Sequence, residues 1–300
     1  MTPEPIPVHP AYLFVPAVRP EFAAKAAASG ASAVIVDLED SVPTSRKAEA
    51  RTLLSTALAG IHAAGLTACV RVNNEPALLD DDLAAAAAAK ADVVVLPKAE
   101  DPRAIAAVAA TLTAAESATA RPISLELQIE TALGLQQAFE LAPASDRVVA
   151  MMLGTEDFST ALDIDPDDPD TDLTWAHGRV LLAARAAGVT PYGILERFSD
   201  FTDIAAYEIA ARRSRAFGYL GTYCIHPRQV DIALAEYGVT AEQVNHAHRV
   251  LEAYAAAEAE GRSAVAFEGR MVDRPVAERA RRLLARATRT PVPSQQESSA

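Results

Sequence analysis

Short apolar runs alternate with longer alanine-rich amphipathic stretches along most of the chain. Eight runs have the composition of buried strands: residues 12–15, 33–38, 67–72, 92–96, 123–129, 148–153, 191–195 and 221–225. Helical patterns cover residues 21–29, 45–63, 78–90, 102–117, 173–187 and 203–217. Eight alternations in one unbroken series predict an α/β fold, a (β/α)8 TIM barrel, rather than a doubly wound sheet.

The chain continues beyond the eighth strand for longer than a bare barrel needs. Helical patterns cover residues 241–260 and 275–287, with a short segment, 263–273, between them. We therefore predict a barrel domain over 11–238 and a C-terminal helical extension over 239–290. Residues 291–300 read PVPSQQESSA, a composition that is typical of a disordered tail.

The fifth predicted strand carries acidic residues on one face. Residues 123–130 read ISLELQIE, so Glu126, Gln128 and Glu130 share the face opposite the isoleucines and leucines. In a barrel wrapped in helices, the apolar face of a strand points outward and the acidic face points inward. Carboxylates on the inward face must be paired or bound to a metal, because an isolated buried charge costs several kcal/mol. The sixth strand is followed by GTED, which brings Asp157 to a second strand exit. Hard oxygen ligands at neighbouring exits predict that Glu130 and Asp157 bind Mg²⁺.

Charged residues follow the other predicted strands too, where the catalytic groups of a barrel gather. They are Arg19, Asp37, Glu39, Asp40, Arg71, Lys98, Glu196, Arg197 and His226. We expect the acids of the VDLED segment to form a structural network with Arg71 or Lys98. Arg71 points inward on the strand alternation, which favours a substrate role. For Lys98 a salt bridge is favoured over a Schiff base, and for His226 hydrogen bonds that fix a loop.

Composition narrows the classes of partner. The chain has 300 residues and a formal net charge of −13, which argues against nucleic acid and anionic membrane surfaces as partners. Cys69 and Cys224 are isolated, so neither a disulfide framework nor a zinc site is indicated. The N-terminus lacks the pattern of a secretion signal, and no apolar run reaches membrane-spanning length. The expectation is a cytoplasmic protein.

Seven segments together resemble the citrate lyase β-subunit-like branch of the HpcH/HpaI aldolase family. They are LFVPAVRPEFAAKAAASGASAVIVDLEDSVPTSRKAEAR, ACVRVNNEP, VVLPKAED, LELQIETALGL, MMLGTEDFSTALD, YCIHPRQVDIA and FEGRMVDRPV. The match runs in order from about residue 13 to about residue 281. It implies a TIM barrel with a C-terminal lid, Mg²⁺, and reversible cleavage or formation of a 2-hydroxyacid CoA thioester such as citramalyl-, malyl- or citryl-CoA.

The resemblance also implies roles for individual residues. The metal acids fall on Glu130 and Asp157, the substrate arginine falls on Arg71, and Glu130 is also a substrate contact. The CoA-side contacts fall on Phe14, Arg19 and Lys25. The catalytic acid/base falls on Asp273 and is donated across a subunit interface, in a homotrimer or a dimer of trimers.

Three other functions stay open at this point. They are a malyl-CoA thioesterase on the same scaffold, a CoA-free aldolase acting on pyruvate and an aldehyde, and a non-catalytic subunit or acyl-carrier-protein partner. Many relatives carry an Asp-Gly pair after the seventh strand, where this chain has YGILER from Tyr192 onward. The acid substrate and the direction of the reaction therefore stay open as well.

Overall fold

The computed structural model describes residues 7–116, 121–166, 168, 170–195 and 201–289. The strands in this range are β1 (Ala11–Pro16), β2 (Ala33–Asp37), β3 (Thr67–Arg71), β4 (Val93–Leu96), β5 (Ser124–Ile129), β6 (Val148–Leu153), β7 (Thr190–Tyr192), β8 (Thr222–Cys224), β9 (Ala264–Phe267) and β10 (Arg270–Asp273). The helices are α1 (Pro20–Ala27), α2 (Lys47–Ala63), α3 (Leu79–Ala88), α4 (Pro102–Ala115), α5 (Ala132–Gln136), α6 (Ala138–Leu141), α7 (Thr155–Ala161), α8 (Thr174–Ala187), α9 (Ile204–Phe217), α10 (Pro227–Tyr237), α11 (Ala241–Ala259) and α12 (Arg274–Arg289).

Strands β1 to β8 form one parallel sheet in the order β7-β6-β5-β4-β3-β2-β1-β8. Two backbone hydrogen bonds connect the two ends of this order. The Gly193 N–H donates to the Gly221 carbonyl (3.0 Å), and the Leu220 N–H donates to the Pro191 carbonyl (3.1 Å). The sheet is thus a nearly closed barrel surrounded by helices, which confirms the predicted TIM barrel.

Helix starts follow the local sequence signals. Asp101 accepts a hydrogen bond from the Arg103 N–H (2.9 Å) ahead of Pro102, the first residue of α4. Thr240 and Gln243 form a reciprocal capping box at the start of α11. The apolar faces of α1 to α4 and α8 pack on the outward side chains of the strands in one large core. These contacts fix the strand ends, and with them the residues that follow each strand.

The described residues divide into two compact units, one of residues 9–237 and one of residues 7–8 together with 238–289. In the second unit, α11 and α12 enclose a small apolar core that includes Val250, Tyr254 and Val272. The segment between the helices is an antiparallel hairpin of β9 and β10. Glu268 and Gly269 both have positive φ at its turn, as a two-residue hairpin turn of type I′ requires. The lid role of this unit stays a prediction.

Three further findings bear on the sequence predictions. No helix in the described ranges is long and apolar enough to cross a membrane. The predicted disordered tail, 291–300, lies outside the described residues. The same holds for Glu196 and Arg197, which were predicted to follow the seventh strand.

Candidate active site

A cavity of about 450 Å³ opens at the carboxyl ends of the barrel strands. Its walls come mainly from β1, β2, β3, β5 and β6 and from the residues that follow them. The lining residues that the sequence singled out are Phe14, Asp37, Asp40, Arg71, Glu130 and Asp157. The structure therefore brings both predicted metal acids and the predicted substrate arginine into one cavity.

Glu130 follows the last residue of β5 and is almost fully buried, with 2% of its surface exposed. Its Oε2 accepts a hydrogen bond from the Lys98 backbone N–H (2.9 Å). The carboxyl group also lies directly on the backbone of Gly154. A Cβ atom at position 154 would come within 2.5 Å of the Glu130 Cγ and Oε1 atoms, so only glycine leaves room for the acid there.

The surroundings of Glu130 oppose its ionisation. Burial, together with the negative charges of Glu39 and Asp157, raises the pKa of Glu130 to about 8, against the weaker opposing effects of Arg71 and the Lys98 N–H. A carboxyl group in this state gains from a nearby cation, because the cation compensates both the lost hydration and the repulsion between the acids. The electrostatics of the described residues thus favour a positive ion next to Glu130.

Asp157 lies in the first turn of α7, which begins at Thr155 directly after Gly154. This refines the sequence prediction, which placed Asp157 at the exit of the strand itself. Its side chain is 39% exposed, and its Oδ1 is 3.8 Å from the Lys98 Nζ atom. The carboxylate is therefore accessible from the cavity, and its contact with Lys98 is long for an ion pair.

Arg71, at the end of β3, is held by acids on β2 and after it. Its Nε and Nη2 donate to the two carboxylate oxygens of Asp37 (2.7 and 2.9 Å), and its Nη1 lies 2.9 Å from Glu39. The guanidinium carbon is 4.9 Å from the centroid of the Phe14 ring. Burial opposes the ionisation of Asp37, but the bonds and charge of Arg71 outweigh it and lower the Asp37 pKa. The predicted structural network is present, and Arg71 is preorganised within it.

Lys98 forms the salt bridge that was predicted for it. Its Nζ donates to Glu39 Oε1 (2.7 Å). Partial burial disfavours its charge, but the hydrogen bond and charge of Glu39 outweigh burial and raise the Lys98 pKa. A lysine held as an ammonium ion is a poor nucleophile, so a Schiff-base role is disfavoured.

Acidic groups outnumber cations at this rim. Six carboxylates lie at this rim together with the two cations Arg71 and Lys98; they are Asp37, Glu39, Asp40, Glu130, Glu156 and Asp157. No group of three or more His, Cys, Asp or Glu side chains converges as a metal site anywhere in the described residues. A metal held by Glu130 and Asp157 would complete its shell from water and substrate oxygens, as Mg²⁺ commonly does. The donor set fits Mg²⁺.

Other predicted residues lie outside the cavity lining. Arg19 occupies the N-cap position of α1 without a capping hydrogen bond from its side chain, and Lys25 lies in the last turn of α1; both are exposed. Asp273 belongs to the second unit, where its Oδ1 accepts a hydrogen bond from the Val276 N–H (3.2 Å) at the start of α12. His226 accepts at Nδ1 from the Arg228 N–H (3.1 Å), which is the predicted role in fixing a loop.

Two inward residues of β5 acquire roles that the sequence did not assign. Gln128 lines the cavity, and its buried Oε1 has no hydrogen-bond partner in the described structure. The strand alternation had already placed it on the face of Glu130, which was the signal that could have found it. Glu126 was expected to be ion-paired or metal-bound, but instead accepts hydrogen bonds from the hydroxyls of Tyr12 and Tyr223 (the latter 2.7 Å). Tyrosine hydroxyls satisfy this acid without an opposite charge.

The sequence is similar to that of one enzyme family over most of its length. The profile of the HpcH/HpaI aldolase/citrate lyase family matches residues 11–227. The citrate lyase subunit beta of Escherichia coli K12 is 35% identical over 283 residues, covering 92% of each chain. The L-malyl-CoA/beta-methylmalyl-CoA lyase of Cereibacter sphaeroides is 33% identical over 287 residues, covering 87% of this chain and 89% of the relative.

Structural comparison agrees with the sequence matches. The CitE protein of Mycobacterium tuberculosis, in complex with magnesium, acetoacetate and coenzyme A, is 34% identical, with a TM-score of 0.73. The match covers 94% of this chain and 98% of that protein. A citrate lyase beta subunit from the same organism, complexed with oxaloacetate and magnesium, is 32% identical with a TM-score of 0.64, covering 77% of this chain and 97% of that one.

Proposed function

Because the chain belongs to the HpcH/HpaI aldolase/citrate lyase family, we propose that it is a Mg²⁺-dependent carbon–carbon lyase that cleaves or forms a 2-hydroxyacyl-CoA thioester. The products of cleavage are an acyl-CoA and a 2-oxoacid. The observation that carries the proposal is the pair of acids Glu130 and Asp157 in one cavity with Arg71. The named activities of the sequence relatives and the magnesium and coenzyme A in the related complex support it.

Glu130 and Asp157 are the residues that would hold the metal. When bound, Mg²⁺ supplies a Lewis acid that draws electron density from the substrate oxygen that becomes the carbonyl. The carboxyl group of Glu130 is fixed by the Lys98 N–H and the Gly154 backbone, while the more exposed Asp157 can adjust. One rigid acid and one adaptable acid suit a site in which substrate oxygens enter and leave.

Arg71 is proposed to bind the anionic part of the substrate. Cleavage transfers the electrons of the broken C–C bond to the carbon next to the thioester, so negative charge develops on the thioester oxygen. A guanidinium group stabilises carboxylate or enolate oxygen through charge-assisted hydrogen bonds. Asp37 accepts two hydrogen bonds from Arg71, and these fix the plane of the guanidinium group before substrate binds.

Asp273 is proposed to transfer the proton at the carbon that becomes the methyl or methylene group of the acyl-CoA. In the cleavage direction the substrate hydroxyl group gives its proton to solvent water as its oxygen becomes the carbonyl, and the carboxylic acid of Asp273 protonates the enolate carbon. In the condensation direction the carboxylate of Asp273 removes the proton from that carbon, and the new alkoxide takes a proton from water. The proposal includes its delivery by the C-terminal unit of a neighbouring copy, in a homotrimer or a dimer of trimers. In the present structure the group is engaged as a helix cap.

The test is a panel of citryl-, citramalyl-, malyl- and methylmalyl-CoA incubated with Mg²⁺ and analysed by mass spectrometry. The proposal expects a 2-oxoacid and a shortened acyl-CoA from at least one ester, and loss of both products when a chelator is added. Free CoA with an intact 2-hydroxyacid would identify a thioesterase instead. Cleavage of none of the esters, in either direction, would contradict the proposal.

A further inference from the structure

Two cationic side chains of α1 lie against one aromatic ring. The guanidinium carbon of Arg19 is 4.5 Å from the centroid of the Phe22 ring, and the Lys25 Nζ atom is 5.5 Å from the same centroid. Both distances are within the range of attraction between a cation and the face of an aromatic ring. One phenylalanine thus contacts two of the three residues that the family resemblance assigns to CoA.

The ring of Phe22 is itself anchored. Phe22 is partly buried and packs against the barrel core, and its N–H donates to the Arg19 carbonyl (2.8 Å). The Arg19 N–H donates to the carbonyl of Pro16 (3.0 Å), a residue that lines the rim cavity. Two backbone hydrogen bonds therefore connect the segment that carries Phe22 to Pro16 in the cavity wall.

Both cationic side chains are exposed, and besides Phe22, Arg19 contacts the exposed Glu21. Long exposed side chains lose rotamer freedom when they bind a ligand, and this loss weakens binding. Restricting them beforehand against a fixed ring reduces that loss. Arg19 Nε also lies 2.5 Å from Glu21 Oε1, an exposed carboxylate that a phosphate group would have to replace.

We propose that Phe22 is a positioning residue, which holds Arg19 and Lys25 together as a cationic site for the phosphate groups of the CoA moiety. The inference rests on the proposed CoA-ester substrate. An arginine fork beside a lysine point charge suits phosphate oxygens. In a chain with a formal net charge of −13, such a local concentration of positive charge is what an anionic ligand needs.

The test measures CoA binding by titration calorimetry, and kcat and KM for the best CoA ester, in two variants. Phe22→Leu keeps an apolar side chain and removes the aromatic face, whereas Phe22→Tyr keeps the face. We expect Phe22→Leu to raise Kd for CoA and KM roughly threefold to tenfold with kcat unchanged, since exposed cation–π contacts are weak. Phe22→Tyr should stay near the wild-type values.

Two controls separate positioning from packing. The matching pantetheine thioester lacks the CoA phosphates, so its KM should not change in Phe22→Leu. Phe139→Leu is the control for loss of an aromatic ring beside a cation. Phe139 lies on α6, outside the cavity lining, and its ring centroid is 5.3 Å from the guanidinium carbon of Arg179, so this variant should bind CoA as wild type does. Equal melting temperatures would show that each variant is folded.

Several outcomes would overturn the inference. They are a Phe22→Leu variant that binds CoA as wild type does, an equal loss with the pantetheine ester, an equal loss in Phe22→Tyr, or a wild-type protein that does not bind CoA. Binding of CoA that depends on Phe22, without cleavage of any 2-hydroxyacyl ester, would support the role of Phe22 and contradict the proposed lyase function instead.

Discussion

Glu126 lies in β5 and Glu130 directly follows it, and both side chains are on the inward side of the strand, yet their surroundings differ. Glu126 is enclosed by aromatic residues and accepts hydrogen bonds from Tyr12 and Tyr223. Glu130 receives one backbone hydrogen bond and faces the acids Glu39 and Asp157. The first acid is satisfied by neutral donors inside the protein. The second is left with repulsion that a ligand can relieve.

This contrast shows how a functional acid can be distinguished from a structural one. Burial raises the pKa of both, to about 7 for Glu126 and to about 8 for Glu130. The hydroxyl groups of Tyr12 and Tyr223 oppose the shift at Glu126, whereas acidic neighbours add to it at Glu130. A raised pKa is thus common to both acids; only the acid proposed to bind the metal has acidic neighbours that add to the shift.

The largest expected effect is the loss of metal-dependent turnover in Glu130→Gln. We expect kcat to fall on the order of a thousandfold, because a metal ligand contributes several kcal/mol to the transition state. Stability without metal should be kept or increased, since a neutral amide avoids repulsion by Glu39 and Asp157. Steady-state kinetics over a Mg²⁺ titration measures the first effect, and thermal unfolding the second. If Glu130→Gln kept the wild-type kcat at the Mg²⁺ concentration that saturates the wild-type enzyme, Glu130 would not differ in function from Glu126.

Glu126 should affect the pH dependence of stability. Its unfolded-state pKa is near 4.5 and its folded-state pKa is about 7, so between these values the folded protein keeps a proton that the unfolded chain has lost. Stability contributed by this group is therefore complete below about pH 4.5 and declines as pH rises toward 7. The decline amounts to about 3 kcal/mol, at about 1.4 kcal/mol for each pKa unit.

The measurement is the free energy of unfolding in urea between pH 4.5 and 8, for wild type and for Glu126→Gln. The amide cannot titrate, so the difference between the two curves isolates Glu126 from Glu130. Parallel curves would show that Glu126 does not retain its proton between pH 4.5 and 7, so its folded-state pKa would not be raised. The hydrogen bonds from Tyr12 and Tyr223 would then offset the effect of burial completely.

Asp273→Asn tests whether an acid from the second unit belongs with the rim acids. As a proton-transfer group it should lower kcat by roughly a hundredfold. As the cap of α12 alone, its replacement should change stability by about 1 kcal/mol or less and leave turnover intact. Mixed oligomers of Asp273→Asn and an Arg71 variant should regain activity if sites are shared between copies. Normal turnover of the single variant would remove Asp273 from the mechanism.

The smallest effect on turnover is expected for Arg71→Lys. This variant keeps the positive charge and loses the planar guanidinium group that can donate two parallel hydrogen bonds. We expect the loss of about 1–3 kcal/mol of transition-state stabilisation, which lowers kcat/KM roughly fivefold to 150-fold. Some stability should also be lost, because Asp37 loses part of its pairing with Arg71. Arg51→Lys is a matched control. Arg51 binds buried Asp82 (2.8 Å) away from the cavity, so this variant should lose stability only. Equal kcat/KM in wild type and Arg71→Lys would exclude the substrate role.

The strands and the longer helices could be predicted because their patterns are strong. Predicted strand ends lie within a few residues of the observed ones, and β6 agrees at both ends. The short helices α5, α6 and α7 were not predicted, since four to seven residues give too few turns for a periodic apolar stripe. Helix α10 was also missed.

The candidate site was predictable as a set of residues but not as an arrangement. Strand exits identified Glu130, Asp157 and Arg71, and the acidic VDLED segment identified the network. Sequence spacing could not show that Asp37 takes two bonds from Arg71, or that tyrosines from β1 and β8 satisfy Glu126. Such contacts join residues far apart in the chain, and only barrel closure brings them together.

The contact between Gly154 and Glu130 has a consequence for protein design. A transplant of this site into another barrel would need three positions rather than two, because the acid occupies space that any side chain at position 154 would take. Copying only the two carboxylates onto a host with alanine there would displace the Glu130 equivalent, because the alanine Cβ would lie within 2.5 Å of it. The space that the missing side chain of Gly154 leaves is thus as necessary to the site as the carboxyl group that fills it.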